Sequence, residues 1–105
     1  MDVPEIDVHE LAARREAGAA VLDVRNLDEY DAVHVPGVVL IPLGELVKRV
    51  DEVPTGSALP VICRSGARSR QAAAWLRGHG IDAVNVTGGT LAWIGAGLPV
   101  DSAEG

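Results

Sequence analysis

The sequence predicts an α/β fold, one domain in which a mostly parallel central sheet carries helices on both faces. Short apolar runs rich in Val and Ile alternate along the chain with segments of helical periodicity, the order that builds parallel sheets. The 105 residues fit a single core, and no repeat, low-complexity tract or shift in composition marks a linker.

The elements follow in order. Asp7 with Glu10 three residues on makes a capping-box-like start, Val8, Leu11 and Ala12 share one helical face, and Gly18 supplies the stop. Ala20 to Val24 is a β-branched apolar run of the kind that forms a buried parallel strand, and Asn26 with Glu29 opens another short helix. After the turn His34-Val35-Pro36-Gly37, Val38 to Ile41 reads as a second strand. Leu43, Leu46, Val47 and Val50 then recur at helical spacing, which predicts a helix there. Pro60 to Cys63 is a third strand, Ser69 to His79 a helix stopped by Gly80, and Ala83 to Val86 a fourth strand. Gly88-Gly89 begins a last helix through Leu91, Ala92 and Trp93, ended by Gly97 and Pro99.

With 48% hydrophobic and 23% charged residues, the composition is that of an ordinary globular chain, and without Phe the core must be aliphatic. The net charge of −6 argues against nucleic acid or anionic membrane as partners, since both need clustered Lys and Arg. No apolar stretch is long enough to span a bilayer, and the first residues lack the basic and apolar pattern of a secretory signal, so a cytoplasmic location is expected. No heptad or exposed apolar stripe calls for a dimer, so a monomer is expected. No ligand cluster or dinucleotide-type Gly-rich loop is present, and no metal or cofactor is expected.

One cysteine, Cys63, excludes an internal disulfide or a thiolate cluster and leaves the chemistry of a lone thiol. It ends a strand, where sites form in open α/β sheets. The following residues, Arg64, Ser65, Gly66, Ala67, Arg68 and Ser69, make a tight strand-to-helix loop whose backbone N–H groups and helix N-terminus suit an anion. Two guanidinium groups add local positive charge, and Gly66 gives the freedom such a curl needs. An unperturbed thiol titrates near 8.5, and helix N-termini and cations bring it to roughly 3.5 to 7.5. Cys63 is therefore expected to be a stabilised thiolate and a nucleophile; the plainer reading, an inert core cysteine, does not account for a following Arg-Ser-Gly-Ala-Arg-Ser.

Four stretches together resemble the rhodanese domains: Val21-Leu22-Asp23-Val24-Arg25 with Glu29 and Tyr30; His34-Val35-Pro36-Gly37 with Ile41-Pro42; Cys63 to Ser69; and Gly88-Gly89 with Trp93. The resemblance spans nearly the whole chain and is to the stand-alone form, with residues 1–100 as the domain and 101–105 as a short tail. It implies sulfur transfer, in which Cys63 takes a sulfane sulfur from thiosulfate or a protein persulfide, holds it as a persulfide and passes it to cyanide, a thiol or a protein acceptor. It also implies that the N–H groups of Arg64 to Ser69 stabilise the persulfide and bound anion, and that Arg64 and Arg68 attract the donor. Lacking a second cysteine, the chain must pass its sulfur to an external acceptor.

Asp23 and Arg25 are read as a supporting pair beside the loop, with substrate contact by Arg25 the alternative. His34 is read as holding its turn, with a general-base role the alternative. Trp75 and Trp93 read as packing, Trp93 with the option of walling the pocket, and Gly88 and Gly89 as residues for tight backbone turns. Two rival functions stand beside sulfur transfer. A Cys-dependent phosphatase or arsenate reductase resembles the family but has five residues between Cys and Arg, whereas four lie between Cys63 and Arg68. A sulfur carrier or regulatory binding module would use the same cysteine for a protein partner.

Overall fold

Five short strands, all parallel, form one sheet in the order β1-β5-β4-β2-β3 in the computed structural model, which describes residues 2–103. Met1, Glu104 and Gly105 lie outside the described residues, and with the latter two the end of the expected tail. The strands are β1 (Glu5–Ile6), β2 (Leu22–Asp23), β3 (Val39–Leu40), β4 (Leu59–Ile62) and β5 (Ala83–Val86), and the helices α1 (Val8–Glu16), α2 (Leu27–Ala32), α3 (Ala67–Gly78) and α4 (Gly89–Gly95). Every residue of β4 and β5 is buried, as central strands covered on both faces require.

The side chains of β4 alternate between two cores. Leu59 and Val61 pack with Leu22, Leu46 and Val53 against Ala72, Ala73 and Leu76 of α3. Ile62 and Val86 pack on the other face with Val21, Leu11 of α1 and Trp93 of α4. Trp93 is fully buried there and its indole N–H donates to Pro99 O at 2.7 Å, so it is core and does not wall a pocket.

Three features differ from the expectation. The edge strand β1 has only two residues, too few to show a period, yet Glu5 and Ile6 pair in register with Asn85 and Val86. The helix expected over Leu43 to Val50 is replaced by two 3-10 turns, Leu43–Glu45 and Val50–Glu52. Leu46 is buried but Val47 is 66% exposed, so no continuous apolar stripe docks the segment, and an undocked short helix does not hold. Helix α3 begins at Ala67, two residues before the expected start at Ser69, and this places Arg68 and Ser69 in its first turn. At the C-terminal end, Asp101, the first residue of the segment read as a tail, forms an antiparallel bridge with His34.

Candidate active site

The chain leaves the central strand β4 at Ile62, whose carbonyl accepts from Val24 N–H, and Cys63 follows at the carboxyl edge of the sheet. Gly66, at φ +112°, turns the loop back so that its own N–H donates to Cys63 Sγ at 3.1 Å. From the first turn of α3, Ser69 brings its hydroxyl to 3.2 Å from the same sulfur. The loop thus sets two donors, one backbone N–H and one hydroxyl, on a single sulfur.

The loop is held from outside by α4. Thr90 gives its N–H (2.8 Å) and its hydroxyl (2.9 Å) to the carbonyl of Cys63, and Leu91 N–H reaches the carbonyl of Arg64 at 3.0 Å. A β-carbon on Gly89 would stand 2.6 Å from both carbonyl oxygens, so glycine is what permits this approach. Gly88 and Gly89 serve backbone turns, as read from the sequence, and the free N–H groups of α4 face the loop's own carbonyls.

Cys63 is buried, at 1% exposure. Burial pushes its thiol up, but the Ser69 hydroxyl and the backbone N–H groups of Ser69, Gly66 and Ser65 outweigh it, and the net displacement is below the ordinary thiol value. Of the two causes expected, backbone donors and cations, hydrogen bonding to the charged form carries the effect. Ser65, Ala67 and Arg64 are exposed around the mouth. Among the described residues Arg64 takes part in no side-chain ion pair, whereas Arg68 is committed to Glu29 of α2 by two bonds of 2.6 and 2.7 Å. That pairing holds the Glu29 carboxyl at about 2, from an ordinary 4.5.

Asp23 and Arg25 form a buried pair, Arg25 Nη2 to Asp23 Oδ2 at 2.8 Å. The guanidinium also donates to Val33 O at 2.9 Å and Glu29 O at 3.4 Å, which fastens the end of α2 to the sheet. Four of its five N–H groups are engaged by the protein, an arrangement that suits a brace, and Arg25 also lines the cavity beside the loop. His34 stacks on Tyr30 with ring centroids 3.7 Å apart and has Nδ1 2.7 Å from Tyr30 O, inside its own turn. Two residues of the site escaped the sequence reading, Asn85 and Glu5: Ser69 Oγ donates to Asn85 Oδ1 at 2.6 Å, and Asn85 Nδ2 to Glu5 Oε2 at 2.9 Å. The one signal was a polar residue inside an otherwise apolar strand.

Beside the loop lies a cavity of about 190 Å³, lined by Arg64, Ala32, Val33, Leu91 and Ile94 among others. Leu91 and Ile94 are 46% and 42% exposed there. A second cleft, between Thr55 to Ser57 and Gly80 to Asp82, sits at the amino ends of β4 and β5, remote from the sulfur.

A recessed thiol at the carboxyl end of a central parallel strand, ringed by N–H and O–H donors, defines an α/β protein that stabilises negative charge on sulfur. The family model of the Rhodanese-like domain matches residues 7–96, and the chain belongs to that family. It is 37% identical to a sulfurtransferase of Allochromatium vinosum over 98% of this chain and 99% of that one. It is 38% identical to a Bacillus subtilis protein with sulfur carrier protein in its name, YrkF, over 89% of this chain but only 52% of that protein, so it spans about half the length of that relative. The crystal structure of a rhodanese-related protein from Thermoplasma volcanium superimposes with a TM-score of 0.88 at 32% identity, over 93% of this chain and 97% of that one.

Proposed function

We propose that the protein is a sulfurtransferase whose nucleophile is Cys63, working by double displacement. The thiolate attacks the outer sulfur of thiosulfate; the S–S bond of the donor breaks, sulfite leaves with the electron pair, and Cys63 carries a persulfide. Cyanide or a thiolate then attacks the terminal sulfur, and the electron pair of the persulfide bond returns to Cys63. The observation that carries this reading is the pair of donors on one sulfur, Gly66 N–H at 3.1 Å and Ser69 O–H at 3.2 Å. They suit the anionic sulfur of both the free and the returning enzyme.

Arg64, exposed and without an ion-pair partner among the described residues, is the cation available to a dianionic donor. Arg68 acts through Glu29, holding the first turn of α3 against α2. The sequence reading gave both arginines the same role, and the geometry favours dividing it. The test is thiocyanate formation from thiosulfate and cyanide, with the intact mass of the donor-treated chain, for the native protein and Cys63→Ala. Gain of one sulfur and turnover, both lost on substitution, are expected; a native chain that gains no sulfur from thiosulfate or from a protein persulfide refutes the reading.

A sulfur-carrier role is the second reading, and the apolar lip of Leu91 and Ile94 beside Arg64 favours it. Such a lip suits a protein donor or acceptor better than thiosulfate or cyanide, which bring no apolar surface. Loading by a protein persulfide that outpaces loading by thiosulfate at equal concentration would select the carrier role.

A further inference from the structure

The hydroxyl of Ser69 has one proton and two acceptors in reach, Cys63 Sγ at 3.2 Å and Asn85 Oδ1 at 2.6 Å. Asn85 is 2% exposed in the all-buried strand β5, where an apolar side chain would normally stand. Its amide has a second partner, Oε2 of Glu5, on the neighbouring strand β1 at the paired register position. An ionised carboxylate only accepts, so Glu5 fixes the amide with Nδ2 outward and Oδ1 inward against Ser69.

In the thiol form the donors run in one direction: S–H to Ser69 Oγ, Ser69 O–H to Asn85 Oδ1, Asn85 N–H to Glu5. Loss of the sulfur proton breaks this sequence. Ser69 then serves the anionic sulfur only by turning its O–H away from Asn85, which leaves two oxygens facing each other at 2.6 Å in a buried place. The amide cannot relieve them by turning over, because its oxygen would then meet the Glu5 carboxylate. We propose that Asn85, oriented by Glu5, is a positioning residue for Cys63, competing with the sulfur for the single Ser69 proton and so setting how readily the loop accepts a negative sulfur.

The inference deepens the reading of Cys63 as the nucleophile and rests on it, but its test needs no sulfur donor. The charged groups facing the network are Arg70 of α3, 3.4 Å from Glu5, and Arg68, whose charge acts on Cys63; both stay in place throughout. In Glu5→Gln, the new side chain offers Asn85 a donor or an acceptor, the amide is free to turn, and Ser69 is free to give its proton to sulfur. Glu5 is 41% exposed, so the substitution spares the fold.

The ultraviolet absorbance of the thiolate is followed against pH, with Cys63→Ala as the blank. The Cys63 pKa is expected to fall by about half to one unit in Glu5→Gln, the worth of one hydrogen bond. On a Ser69→Ala background the same substitution should produce a much smaller fall, since only the lost charge of Glu5 then acts. No shift, or an equal shift in both backgrounds, overturns the proposal and leaves Asn85 as a structural filler. A chain that shows the Ser69-dependent shift yet takes sulfur from no donor would keep this inference while the sulfurtransferase reading fails.

Discussion

Gly89→Ala tests whether the clamp of α4 on the nucleophile loop rests on the absence of one carbon. Gly89 sits at φ +57°, and its β-carbon would stand 2.6 Å from the carbonyl oxygens of Cys63 and Arg64. Those oxygens cannot swing aside freely, because they receive Thr90 N–H, Thr90 O–H and Leu91 N–H. The left-handed backbone costs an alanine about 1 to 2 kcal/mol. Losing three hydrogen bonds, each worth about 1 kcal/mol, brings the loss to roughly 4 to 5 kcal/mol. Gly97→Ala is the control, with φ +72° and nothing within 4 Å of the added carbon, so only the backbone cost of about 1 to 2 kcal/mol applies. Urea unfolding measures both, and thiocyanate formation reports whether the loop still holds Cys63. If the two variants unfold within about 1 kcal/mol of each other, the close approach is not what holds the loop.

Two further predictions concern the charged groups around the mouth. Glu29 titrates near 4.5 unfolded and at about 2 when paired with Arg68, so its contribution to stability is full above about pH 5 and is lost as pH falls toward 2. Its partial exposure screens the pair to about 1 kcal/mol; the stability gap between the native chain and Glu29→Gln, measured by denaturation across that window, should close on acidification, and a constant gap would contradict the pairing. Arg64→Ala should leave unfolding unchanged and raise the KM for thiosulfate about tenfold with kcat nearly intact, the pattern of a lost binding cation. A fall in kcat alone in steady-state assays would instead place Arg64 in the transition state.

The order of elements and the loop from Cys63 to Ser69 were legible because both depend on residues close in sequence: β-branched runs, caps and a glycine at a turn. What escaped depends on distant partners. Arg68 looked like a free cation, and its commitment to Glu29 spans 39 positions that no local pattern connects. The spacing of Leu43, Leu46, Val47 and Val50 promised a helix, but periodicity does not say whether a partner surface waits for the stripe. Asn85 carried a weak sign, since an amide inside a buried strand must be satisfied by something. Which residue satisfied it depended on β1, a strand too short to announce itself.

The pairing of β1 with β5 also has a consequence in time. Glu5 and Asn85 lie 80 positions apart, at nearly the widest loop closure the chain contains. During synthesis at about 5 to 20 residues per second, roughly 4 to 16 seconds pass between the two. Contacts of such separation are the slow ones in folding, so α3 and the sulfur loop, built from near neighbours, can form while the amide behind Ser69 still waits for its carboxylate. The donors nearest the sulfur, Gly66 and Ser69, are thus local to the loop, whereas the contact proposed to tune it closes across almost the whole chain.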